Sequence, residues 1–166
     1  MFEAILAAML ELPVCHLDRD WIGKRAQLEE IAHVIADVSA HASDPVRRSA
    51  ELVTVGYWES RFCHRVQLRP RRRAGNGYWQ LETYIGWVTG PDPQALYMGA
   101  WNASLWLERA KWCGRRPVEV FTAYAGRPCE DVDRGWPTLS KRGFTFKCVR
   151  ERIIKWQQQN RSGKRV

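Results

Sequence analysis

A chain of 166 residues has room for one domain with a real core, and two full domains would leave each too small. Its 45% hydrophobic and 27% charged residues are ordinary for a globular protein and weigh against both a disordered chain and an integral membrane protein. The net charge of +8 fits a solvated positive surface, nucleic acid or an anionic wall polymer, and does not choose among them.

Residues 1–12 are apolar, but they carry no basic start and are interrupted by Glu11, with Pro13 following. They read as a short packed helix and not as a signal peptide. Leu28, Ile31, Ala32, Ile35, Ala36 and Val38 recur at helical spacing and predict an amphipathic helix over residues 27–42. Asp44 and Pro45 then form a start signal, a capping side chain followed by a residue suited to the first helical position. The helix they open should run from Pro45 to about Phe62, becoming apolar on nearly all sides toward Glu59.

The arginine-rich stretch 65–77 breaks any regular pattern and marks a loop, and residues 78–88 have the aromatic and β-branched content of a small strand or hairpin. Asp92 and Pro93 start a long helix over residues 94–112. A further helix is expected over residues 117–125, stopped by Gly126 and Pro128. A Gly- and Pro-containing irregular stretch precedes a closing helix over residues 145–159 and a basic tail, 161–166. The expectation is a mainly α domain, α+β only to the extent of one small hairpin, with its core within about 25–160.

The five cysteines lack the paired spacing of a zinc site, so no metal is expected. Their odd number permits two disulfides and a free thiol, or five thiols in a reducing compartment. Nine tryptophans suit a core, and they also suit a cleft in which indole faces stack on sugar rings.

Glu59 is the residue that invites chemistry. A glutamate between Trp58 and Phe62, at the end of an apolar helix, is placed to have its charged form desolvated. Glycosidic bond cleavage needs such an acid, because the leaving oxygen departs poorly until it gains a proton. The plainer alternative puts Glu59 on an exposed face, or has it cap a neighbouring helix and pair with Arg61 or Arg65.

Three short motifs in order favour the first view: Glu59-Ser60-Arg61-Phe62, then Gly77-Tyr78-Trp79-Gln80, then Thr122-Ala123-Tyr124-Ala125-Gly126. In this the chain resembles the soluble lytic transglycosylase and goose-type lysozyme superfamily, whose Glu-Ser-x-Phe, Gly-x-x-Gln and Ala-Tyr-Asn-Ala-Gly elements follow one another in the same way. It departs from the pattern in lacking the asparagine after Tyr124 and in having Tyr78-Trp79 where a Leu-Met pair is usual. The resemblance implies a single lysozyme-like domain that cleaves peptidoglycan between N-acetylmuramic acid and N-acetylglucosamine, without a cofactor and as a monomer.

Glu59 would be the catalytic acid and then the base. Ser60, Phe62, Gly77, Tyr78, Gln80 and Tyr124 would bind substrate. A transglycosylase needs only the one acid, whereas a lysozyme-type hydrolase on the same fold would recruit a second carboxylate, for which Glu82 is the candidate. The arginines from Arg69 to Arg73 would then border the cleft. The site of action would be the cell wall or periplasm, reached through a phage particle or holin. The rivals from other classes are a basic helical nucleic-acid-binding protein and a phage structural protein.

Overall fold

Asp44 and Pro45 open the helix on which the rest of the molecule is built. In the computed structural model, the Asp44 side chain accepts a hydrogen bond from the Arg47 N–H at 2.9 Å, satisfying one of the donors that a helix start leaves open. The structure describes residues 1–13, 21–68, 75, 77–81, 88–134 and 137–162. In chain order the helices are α1 (Phe2–Leu10), α2 (Trp21–Ala40), α3 (Pro45–Ser60), the short α4 (His64–Leu68), α5 (Pro93–Arg109), α6 (Pro117–Tyr124) and α7 (Pro137–Ser162). Two 3-10 turns, Ala110–Cys113 and Cys129–Asp131, flank α6. The fold is mainly α.

Every residue of α3 from Arg48 to Tyr57 is buried, which is possible only for a helix surrounded by others. Helices α1, α2, α5 and α7 all pack against it. The shared core is filled by Ile5 and Met9 of α1, Ile31 and Ile35 of α2, Leu52 of α3, Leu107 of α5, Phe121 of α6 and Ile153 of α7. No helix of the described residues is long and apolar enough to cross a membrane.

Two helices start earlier than their apolar periodicity implies. Helix α2 begins at Trp21 and not near residue 27; α7 begins at Pro137 and not near residue 145. The cause is the same in both. The buried stripe of α2 continues backward from Leu28 to Lys24, and that of α7 from Phe146 through Arg142 to Leu139, so a basic residue occupies a core-facing position. Helix α7 also extends two residues into the segment that reads as a basic tail.

Within the expected hairpin, residues 78–80 form a turn and Leu81 an isolated bridge, while 82–87 lie outside the described residues, as do Glu82 and the arginines from Arg69 to Arg73. Cys113 and Cys129 are joined by a disulfide, Cys63 is also disulfide-bonded, and Cys148 is an exposed free thiol. Of the two thiol states left open by sequence, this is the one with disulfides.

Candidate functional site

Helix α3 ends abruptly, and the way it ends sets the direction of Glu59. Arg61 and Phe62 both adopt left-handed backbone, with φ of 54° and 50°. Ser60 stabilises the exit: its hydroxyl donates to the Gly56 carbonyl at 2.8 Å and accepts from the Phe62 N–H at 3.1 Å. The Phe62 carbonyl is held in turn by α2, through Lys24 and through the Gln27 amide at 3.1 Å. Arg61 lies over the rings of Tyr57 and Trp58, 4.2 and 4.9 Å from their centroids, and is not the ion-pair partner of Glu59.

The Gly77–Gln80 turn is fixed by Gln67. Its amide donates to the Val88 carbonyl at 3.1 Å, and its amide oxygen accepts from the Tyr78 N–H at 3.3 Å. Gly77 has φ of 68° and lies so close to Val88 that a Cβ would come 2.8 Å from that carbonyl oxygen, so only glycine suits the position. Trp79 is buried between two helices whose glycines face it: an added Cβ would lie 3.2 Å from its indole nitrogen at Gly56 of α3, and 3.4 Å from its ring at Gly99 of α5. Its N–H donates to the Leu52 carbonyl at 3.0 Å. The bulky Tyr78-Trp79 pair is thus accommodated by small residues across the interface.

Helix α6 closes with Gly126 at φ 67°. The Arg127 N–H reaches the Thr122 carbonyl at 3.2 Å, and the Gly126 N–H reaches Ala123 at 3.0 Å, the Schellman arrangement. This leaves Tyr124 on the last turn, its phenol donating to the Trp79 carbonyl at 2.9 Å. Burial pushes that phenol well above its usual value, and the nearby Glu59 charge adds to the effect while Arg142 opposes it. Tyr124 is therefore a neutral donor.

These constraints converge on one open cleft of about 680 Å³. Glu59, Gln80 and Tyr124, drawn from three separate motifs, all line it. The other four sequence-expected binding residues do not. Ser60, Phe62, Gly77 and Tyr78 are buried behind the cleft, where Ser60 terminates α3, Phe62 and Tyr78 pack edge to face at 6.0 Å, and Gly77 receives the Gln80 side-chain amide at 2.8 Å. They shape the site from beneath and do not line the cleft.

The surroundings of Glu59 also differ from expectation. Its side chain is 21% exposed and forms an ion pair at 2.7 Å with Arg142, whose side chain is 11% exposed. The carboxyl is thus met by a charge from α7, and neither lies in a purely apolar pocket between Trp58 and Phe62 nor pairs with Arg61. Trp58 instead gives its N–H to Thr145 at 3.1 Å. Only Oε1 accepts from Arg142, and Oε2 carries no hydrogen bond among the described residues. Glu59 is the sole carboxylate among the described residues lining the cleft.

Arg142 and Gln67 are the residues that sequence reading missed. The signal for Arg142 was available: it falls on the backward extension of the Phe146, Val149, Ile153 stripe, where a long basic side chain among apolar ones needs a buried acceptor. Compared with protein-family models, with curated proteins and with solved structures, the chain finds no match.

Proposed function

We propose that this protein cleaves the glycan strands of peptidoglycan at the β-1,4 bond between N-acetylmuramic acid and N-acetylglucosamine, by a lytic-transglycosylase reaction with Glu59 as acid and then base. The observation that carries this reading is that Glu59, Gln80 and Tyr124 meet in one solvent-open cleft although 65 positions separate the first from the last in sequence. A single acid suffices for the chemistry. Protonated on Oε2, with Oε1 still accepting from Arg142, Glu59 gives its proton to the glycosidic oxygen as the C1–O4 bond breaks. The resulting carboxylate then takes the proton of the same sugar's C6 hydroxyl while that oxygen bonds to C1. An internal 1,6-anhydro ring forms, and no water is consumed.

The remaining groups support this course. Gln80 has one amide hydrogen bonded to Gly77, leaving its other hydrogen and its oxygen for sugar hydroxyls or N-acetyl groups. Tyr124 holds the Trp79 carbonyl and so joins the second motif to the third. On this reading the protein acts on the cell wall or in the periplasm, as a monomer, and delivery by a phage particle or a holin would suit it.

Mass spectrometry of muropeptides released from purified sacculi tests the proposal on wild type and Glu59→Gln side by side. Anhydro-muramyl ends from wild type, with the rate reduced at least about 100-fold in the variant, are expected. Reducing ends would reassign the reaction to hydrolysis. Undiminished release by Glu59→Gln, or none by wild type, would remove the proposal.

A further inference from the structure

Helix α5 places two opposite faces to different uses. Leu96, Ala100, Ala103 and Leu107 are buried in the core. Asn102, Leu105, Trp106 and Arg109, spaced i, i+3, i+4 and i+7, lie together on another side, and all four line the cleft. Leu105 is 46% exposed and Trp106 45%, so two large apolar side chains stand on a face that helix packing leaves uncovered.

Trp106 is held in a defined way. Its indole N–H donates to the Tyr124 carbonyl at 3.4 Å, tying the ring to the residue whose phenol neighbours Glu59. With its only donor engaged, the indole has its ring face left to offer, and sugar rings bind such faces through their axial C–H groups. The charges are one-sided as well. Glu59, the only carboxylate lining the cleft among the described residues, is matched by Arg142, and Arg127 is paired at 3.5 Å with the buried Asp131. Arg109, exposed on the last turn of α5, makes no ion pair among the described residues. It leaves an excess positive charge on the same wall as Trp106.

We infer that this face of α5 is a binding wall for a glycan bearing carboxylates, in which Trp106 carries a pyranose ring and Arg109 pairs with a carboxylate on the sugar or its substituent. The inference rests on the glycan-cleaving reading and adds the recognition of acidic over neutral strands. A neutral strand fills the aromatic platform and leaves Arg109 unmatched. The carboxylate has two sources, the lactyl group of a peptide-free muramyl residue or an attached stem peptide.

Calorimetric titration of the full chain carrying Glu59→Gln, which keeps the glycan intact during measurement, separates these. The probes are chitohexaose, a peptide-free muramyl glycan of equal length, and the same glycan with stem peptides. The acidic probes are expected to bind more tightly than chitohexaose, with a preference that shrinks as salt rises. Adding Trp106→Ala should weaken all three about tenfold. Adding Arg109→Gln should weaken only the acidic probes, about threefold. A loss confined to the peptide-bearing probe assigns the carboxylate to the peptide; a loss confined to the peptide-free probe assigns it to the lactyl group, whose carboxyl becomes an amide once a stem peptide is attached; a loss with both shows that Arg109 pairs with either.

Arg109 is exposed, so Arg109→Gln should melt with the parent, whereas Trp106→Ala, which removes a half-buried ring and its hydrogen bond to Tyr124, should melt a few degrees lower and still unfold cooperatively. Substitutions that leave binding unchanged, or failure of every probe to bind, would overturn the inference. The two readings separate cleanly: binding by the wall without muropeptide release from wild type removes the enzymatic proposal alone. Release without any effect of Trp106 or Arg109 on binding removes this one alone.

Discussion

The ion pair between Glu59 and Arg142 joins the end of α3 to the second turn of α7 across 83 positions of sequence, and its strength can be isolated. At an effective dielectric of about 20, two charges about 4 Å apart attract by roughly 4 kcal/mol, which is a ceiling. Removing both groups from water takes back much of that, and the 21% and 11% exposure of the side chains leaves some screening. A partly buried, charge-assisted bond of 2.7 Å should therefore show a coupling of about 1.5 kcal/mol, above the range of roughly 0.2–1 for exposed pairs.

Arg142→Met keeps the apolar stem and removes the charge, and should destabilise by about 2 kcal/mol. Glu59→Gln should cost about 1 kcal/mol, since an amide oxygen can still accept from the guanidinium. The double variant should cost about 1.5 kcal/mol, less than the singles combined. Urea unfolding at pH 7 measures all four chains, and melting temperatures should fall by about 2–4 °C per kcal/mol for a domain of this size. Additivity within about 0.3 kcal/mol would show that the two side chains do not interact, and would refute the reasoning.

Three further outcomes follow from the packing and burial. Gly56→Ala puts a methyl 2.5 Å from Phe62 Cε1 and 3.2 Å from the Trp79 indole nitrogen. It should destabilise by about 1–2 kcal/mol in urea despite the better helix propensity of alanine; a stabilised variant would contradict the close packing. Tyr124, raised well above its ordinary value of 10.0, stays protonated in the fold where the unfolded chain ionises. Its contribution is thus constant below about pH 10 and lost as pH rises above it, by up to about 1.4 kcal/mol per unit. A Tyr124→Phe chain should be less stable at pH 7 by about 1–2 kcal/mol and lose less stability than wild type between pH 10 and 11, and equal slopes would count against it. Cys129→Ser opens the disulfide to Cys113, 16 positions away, and should lower unfolding stability by about 3 kcal/mol, with an unchanged urea midpoint as the contrary result.

Much of the local architecture was legible in the sequence because the signals were local. Asp44-Pro45 and Asp92-Pro93 start helices as their capping chemistry dictates, with Asp92 accepting from the Gln94 N–H at 2.8 Å. Gly126, in left-handed backbone, closes α6. The candidate site was legible in part: Glu59, Gln80 and Tyr124 line one cleft, while Ser60, Phe62, Gly77 and Tyr78 carry the turns and packing beneath it. Short motifs do not distinguish a residue that faces ligand from one that holds up its neighbour.

Taken alone, the sequence determined a mainly helical domain, the caps that begin and end its helices, and a glutamate at the end of the most buried one. Each is decided by residues within a turn or two of each other. Which distant acceptors let basic side chains enter the core was left to tertiary structure. Lys24 lies on a buried stripe because the Phe62 carbonyl awaits it, and Arg142 does so because Glu59 lies opposite. A charge at such a position interrupts the apolar period that announces a helix, and its burial is tolerable only when a partner from a distant segment arrives with it.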